Sequence, residues 1–271
     1  MAADHAVLLR RRRSSKFALI FDACDNEQPG FRHQTGGRDM TMTRRLDGDS
    51  KTLMASVYDR LRSDIVDGEL RPGARLRFDE LKDSYGVGLS PLREALTRLA
   101  AEKLVVLEEH KGFRVAPISR SDLMDLLFMR QEIESLAIRR SIERGDDQWE
   151  SGVVAAIHAL GKRSSLTPDG HIDPEWENRH RAFHDSLVAA CDSPRLMLYR
   201  CQLTDHADRY RKLSHHYSSS GRDHLVEHCA LSDAVVARDA ETANQLIRNH
   251  LARTVEIIMT DEDLRDSGFD D

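Results

Sequence analysis

The chain has 271 residues, of which 32% are charged and 6% aromatic, and carries a formal net charge of −6. That length gives about two domains with real hydrophobic cores. No apolar run approaches the roughly 20 residues a membrane-spanning helix needs, so the composition excludes a helical membrane protein. The run Phe17 to Phe21 behind Arg10 to Arg13 is shorter than a signal core and is closed by Asp22, which predicts an untargeted, cytoplasmic chain. Cys24, Cys191, Cys201 and Cys229 are scattered without a CxxC pair, against both a disulfide framework and a zinc ribbon.

Residues 1–50, rich in Arg, Asp, Gly, Thr and Ser, show no sustained period and read as a disordered extension. From Lys51 the register changes: Leu53, Val57, Leu61 and Ile65 recur every four residues, with Gly68 placed to end a helix. After the turn at 68–73, the stretch Asp79 to Thr97 reads as helix, Gly-containing turn, second helix. Ser90 suits an N-cap and Pro91 the first helical position, where no N–H is needed. Leu92, Ala95, Leu96 and Leu99 then share a buried face, leaving Arg93 and Thr97 opposite. Leu104 to Glu109 and Phe113 to Pro117 form two β-type runs about the turn His110, Lys111, Gly112. Residues 51–118 are therefore a winged helix-turn-helix, the shape that enters a DNA major groove.

The net charge is +2 over residues 1–50, +1 over 51–118 and −9 over 119–271. A near-neutral DNA module gains little from counterion release, so two copies are expected to act together.

From Ser119 onward only helical periodicity appears, in six segments near 121–144, 147–163, 173–191, 194–216, 222–237 and 240–260. Short connections make antiparallel neighbours, so 119–260 is expected to be an all-α bundle with room inside for a ligand or metal, and 261–271 a disordered tail. The whole is mainly α.

His180 and His184 stand at i, i+4 and project from one helix face; His228 and His250 lie on otherwise apolar stripes of two later helices. Inward ionisable groups need partners. A divalent metal held by imidazoles from three helices would satisfy all four, zinc or nickel being suitable; hydrogen-bonded, partly exposed histidines are the plainer alternative. Arg130 falls on the stripe of Leu123 and Leu127, continued by Glu134. It can bind a carboxylate in bidentate fashion with Glu134 fixing its orientation, or form an ordinary surface pair with Glu134. A metal-dependent enzyme is the competing class. HExxH fails because Arg181 occupies its second position, Glu177-x-x-His180 has no second copy for a di-iron site, and no GxSxG elbow is present.

The SPLREAL helix, the KGFRV hairpin, Arg130-x-x-x-Glu134, Phe183-His184, Glu227-His228 and His250-Leu251 together resemble the GntR family of bacterial transcription regulators. The likeness spans about 51–260, the bundle being similar to the FadR-type sensing domain called FCD, in its six-helix, VanR-like form. The resemblance implies a homodimeric repressor on a palindromic operator, released by a small carboxylate, a dicarboxylate such as glutarate or 2-hydroxyglutarate being favoured. It assigns DNA contact to Gly88, Ser90, Pro91, Arg93, Lys111 and Gly112, metal to His184, His228 and His250, and the effector carboxylate to Arg130. Two positions depart from the family's pattern. Leu89 replaces a common arginine, and His180 replaces Asp or Asn, so His180 would be a fourth ligand.

Overall fold

Val57, Leu61 and Ile65 are almost fully buried along one stripe of helix α1, Arg44–Val66, which confirms the period read in the sequence. The computed structural model describes residues 44–214, 224–261, 264 and 269, those before 55 by their backbone alone. Helix α1 starts seven residues ahead of Lys51, so the expected extension is shorter at its C-terminal end; residues 1–43 lie outside those described.

The N-terminal module continues with β1 (Arg75–Leu76), α2 (Phe78–Tyr85), α3 (Leu89–Ala101), β2 (Val105–Glu108) and β3 (Gly112–Val115). The hairpin pairs Val105 with Val115 and Leu107 with Phe113, while β1 adds to the other edge of β3 through Leu76 and Phe113. Two residues are too few to show a period, so β1 was invisible in the sequence. Leu92, Leu96 and Leu99 pack the buried face of α3 against Leu61 and Leu104. Helix α3 begins two residues earlier than expected. Gly88, with extended backbone, is its N-cap, and Ser90 lies inside the first turn without a capping bond, which corrects the assignment of Ser90 as cap. Pro91 remains among the first four positions, whose N–H groups have no intrahelical acceptor, so it is still tolerated.

Six helices follow: α4 (Arg120–Arg144), α5 (Asp147–Gly161), α6 (Pro174–Val188), α7 (Pro194–Leu213), α8 (His224–Val236) and α9 (Ala240–Met259). Side chains close several N-termini: Ser119 accepts from the Asp122 N–H, Asp146 from Trp149, Asp173 from Glu175 and Trp176, and Asp239 from Thr242. Ile138, Val153, Leu160, Phe183, Leu187, Leu231, Val235 and Ile247 fill the bundle core. The expected segment ends at 216 and 222 fall outside the described residues.

The expectation of a disordered tail is corrected at three residues. Asp261, Leu264 and Phe269 are buried; Ser214 donates to Asp261 at 2.7 Å, and the Phe269 ring lies 6.0 Å from that of Tyr210. Two isolated apolar residues in an acidic stretch carry no periodic signal, although each finds a place in the cluster of Ile118, Leu123, Tyr210 and Ile258. Helix α7 is the strut between the two halves: Asp205, His206, Arg209 and Lys212 all bond to the N-terminal module.

Candidate DNA-reading face and metal and carboxylate site

The start of α3 offers the face expected for groove reading. Gly88, Leu89, Ser90 and Arg93 are exposed and Pro91 is half-buried. The Arg93 guanidinium lies 5.4 Å from the Phe78 ring centroid, and Thr97 turns its hydroxyl back to the Arg93 carbonyl at 2.7 Å, leaving the arginine as the projecting cation of that turn. At the wing, His110 and Gly112 take positive φ (+62° and +85°), which carries the exposed Lys111 out on a tight loop. A side chain at Gly112 would strain that turn even though a Cβ there meets nothing.

In the bundle, α6 supplies His180 and His184, α8 supplies His228 and α9 supplies His250. One nitrogen from each lies within 4.8 Å of the others. His180 and His184 bring their Nε2 atoms to 3.2 Å, close to the roughly 3.3 Å edge of a tetrahedron built with zinc–nitrogen bonds of about 2.0–2.1 Å. His250 donates through Nδ1 to Glu227 at 3.0 Å, which leaves the lone pair on Nε2 and fixes the ring, as carboxylates do for metal-ligating histidines. Trp176 stacks on His180 with centroids 4.8 Å apart. Burial, then the neighbouring imidazoles, then the arginines hold His180 and His184 well below the usual histidine range. Both rings are therefore neutral near pH 7, the form a metal requires. By donor chemistry and spacing, the four imidazoles could hold zinc or nickel.

Beside them lies a cavity of about 50 Å³ bounded by His180, His184, His250, Arg130, Arg200 and Thr204. It has space for about three to five waters at roughly 10–15 Å³ each, so any organic ligand there is small. Arg200 is 3% exposed and lies between Glu134 at 2.9 Å and Asp185 at 2.6 Å. Burial works against its charge, but the two carboxylates outweigh it and raise its pKa. The expected Arg130–Glu134 pair is present at 3.8 Å, but with Glu134 buried and Arg130 half-buried rather than at the surface, and the closer partner of Glu134 is Arg200. The Arg130 Nε is buried without a hydrogen bond. Burial lowers the Arg130 pKa more than Glu134 and Asp208 restore it, so an added carboxylate would be welcome there.

The sequence reading missed Arg200, Arg181, Asp208 and Arg211, all on the cavity wall. Arg211 grips Glu177 with both Nη atoms and reaches Asp208 at 3.2 Å, and Arg181 donates to Asp208 at 2.5 Å. On α7 a spacing of Arg200, Thr204, Asp208 and Arg211 was the available signal: polar residues at i, i+4, i+8 and i+11 in a helix that must bury one face.

Residues 53–115 match the family model "Bacterial regulatory proteins, gntR family" and residues 125–253 match "FCD domain". The HTH-type transcriptional repressor GlaR of Escherichia coli K12 is 38% identical over 74% of this chain and 93% of its own length. The regulator BphR of Paraburkholderia xenovorans LB400 is 35% identical over 77% and 86% respectively. Among solved structures, a putative GntR regulator from Rhodococcus sp. RHA1 superposes with a TM-score of 0.62 at 23% identity, covering 77% of this chain and 98% of that one. This last likeness supports the fold.

Proposed function

The chain belongs to the GntR family of bacterial transcription regulators, with an FCD domain, and on that premise we propose that it is a metabolite-responsive repressor whose bundle binds a small carboxylate beside a divalent metal. As a family member it is a regulator and not an enzyme. The observation that carries the finer reading is the convergence of four imidazoles on one point at the wall of a cavity that also holds Arg130. Three of the imidazoles, or all four around a metal that accepts a further ligand, would leave a position open to one end of the ligand, while Arg130 takes the other end. Charge favours a dicarboxylate. Arg130, Arg181, Arg200 and Arg211 are already matched in number by Glu134, Glu177, Asp185 and Asp208, so the metal's two positive charges call for a ligand of two negative ones. Glutarate and 2-hydroxyglutarate are the favoured candidates.

Function on DNA follows the same reading. A homodimer in the cytoplasm places two α3 helices in successive half-sites of a palindrome, with Gly88, Ser90, Pro91 and Arg93 at the bases and phosphates and Lys111 and Gly112 at the flanking backbone. The exposed Leu89 would touch bases by apolar contact only. A carboxylate shifts operator affinity by its preference for one dimer conformation, typically by about 1–3 kcal/mol of coupling.

Elemental analysis of the purified full chain tests the metal, and thermal-shift titration with glutarate and 2-hydroxyglutarate, with and without zinc or nickel, tests the ligand. We expect metal-dependent stabilisation that His184→Ala/His228→Ala abolishes. Unchanged metal content in that double variant would overturn the site, and equal affinity for a selected operator and random duplex would overturn the DNA reading.

A further inference from the structure

The side-chain bonds between α7 and the DNA module differ in where they lead. The His206 Nε2–H donates to the Glu102 carbonyl at 2.8 Å and Arg209 to the Ala116 carbonyl at 2.6 Å, both ending on backbone; Lys212 pairs with Asp67 in a half-exposed position. Arg62 is different. From α1 its Nε donates to Asp205 at 3.0 Å, and its Nη2 reaches the same oxygen. Asp205 is 5% exposed, and its other oxygen faces Arg181 Nη1 at 3.7 Å. Arg181 in turn donates to Asp208 at 2.5 Å, and both Arg181 and Asp208 line the histidine cavity. Among the described residues, this is the interdomain bond that continues through side chains into the cavity.

The members of this chain are not equally free to move. Arg200, 4% exposed in its side chain, is fixed by a carboxylate on each side. Arg181 is 42% exposed and divided between two aspartates, the nearer at 2.5 Å and the farther at 3.7 Å, so a modest swing of its side chain alters both contacts. It also follows His180 directly and precedes His184 by three residues on α6, so anything that draws on those imidazoles acts on the turn that carries it.

We infer that Arg181 is the residue through which occupancy of the cavity resets the seating of the DNA module, because the carboxylate end that Arg130 takes also faces Arg181 across the same cavity and competes with Asp205 and Asp208 for its guanidinium. What Arg181 leaves at Asp205, Arg62 must balance alone, and Arg62 sits on the helix against which α3 packs. Arg181 faces both aspartates at once through different nitrogens, Nη2 to Asp208 and Nη1 to Asp205, so drawing its guanidinium toward a ligand alters both contacts together and biases the seating of α1. The trigger rests on the carboxylate reading above; the connection between Arg62 and Arg181 does not.

A double-mutant cycle on the full chain tests the connection without any effector. Operator affinity is measured for wild type, Arg62→Gln, Arg181→Gln and the double variant, on a duplex selected from a random library by the wild-type chain. The double variant is expected to depart by more than about twofold from the product of the single effects. Agreement with that product within about twofold overturns the connection. Arg62→Lys and Arg181→Lys guard against misfolding: they keep the charge, lose the planar fork, and are expected to show a smaller departure of the same sign. Elemental analysis of the same samples separates the two readings. Metal present with an additive cycle discards the connection and leaves the site; metal absent with a non-additive cycle discards the site and leaves the connection. The trigger is then read by hydrogen exchange over α1, with glutarate added to the zinc-loaded chain. A change in wild type that Asp205→Asn abolishes supports it, and no change in wild type, or the same change in both, overturns it.

Discussion

The DNA module and the sensor bundle bury opposite things. In the module, Leu61, Leu92, Leu96, Leu99 and Val115 make an apolar core, and Arg93, the arginine proposed for DNA, stays outside it. In the bundle, Glu134, Arg200, Asp205, Asp208, Arg211 and four histidines are drawn inside or to the cavity wall. An apolar core is the simpler way to hold a fold, because buried ions repay their desolvation only with good geometry and full pairing. The bundle carries that burden around the proposed ligand site, and the module, whose DNA partner is met at its surface, does not.

The contrast is sharpest in what one substitution costs. Glu134→Ala should destabilise the bundle by about 3–5 kcal/mol, since it strips the 3% exposed Arg200 of its 2.9 Å partner and leaves a buried charge half compensated. Urea unfolding monitored by Trp149 and Trp176, both in the bundle, measures it; a loss under about 1 kcal/mol would mean that water or Asp185 covers Arg200 and that the bundle is no different from the module. Leu96→Ala in the module core should cost about 2–5 kcal/mol, through lost transfer energy and a cavity. It differs in its consequence: operator binding should fall while metal content stays, as the histidines share no core with Leu96. Parallel loss of both activities would show that the two cores melt as one.

The same contrast explains what was legible beforehand. Leu92, Ala95, Leu96 and Leu99 declared α3 because apolar residues at helical spacing have one use, to be buried. The histidines were legible for the converse reason, as imidazoles on stripes that should be apolar. Arg200 and Asp208 were not, because charged residues are most often solvated and nothing in one helix says that its charges will meet Glu134 of another. The Arg130–Glu134 pair read from i, i+4 spacing is present, but Arg200, which no spacing within one helix announces, comes closer from across the bundle. At the C-terminus, Leu264 and Phe269 are single apolar contacts without period.

On the module's outer face the expected effects are smaller and change with conditions. Arg93→Ala should cost roughly 1–3 kcal/mol of operator affinity and relax selectivity at one base pair if the side chain reads a base. If it holds phosphate, the salt slope should fall by about one with selectivity intact. No change in affinity, slope or selectivity would remove Arg93 from the interface.

The smallest effect concerns the first turn of α3. An N-cap serine accepts from an N–H two or three positions on, and its loss typically costs about 1 kcal/mol. Ser90 makes no such bond, the cap being Gly88, and its side chain is exposed. Ser90→Ala should therefore leave the free protein within about 0.5 kcal/mol of wild type in urea unfolding, as surface substitutions away from caps and cores do. Its effect on operator affinity should be the larger of the two, because an exposed hydroxyl at the start of a groove-reading helix has DNA as its natural partner. Should Ser90→Ala instead cost 1 kcal/mol or more without DNA, the hydroxyl caps the helix after all, α3 starts a turn-fraction later, and the residues it offers to the groove shift with it.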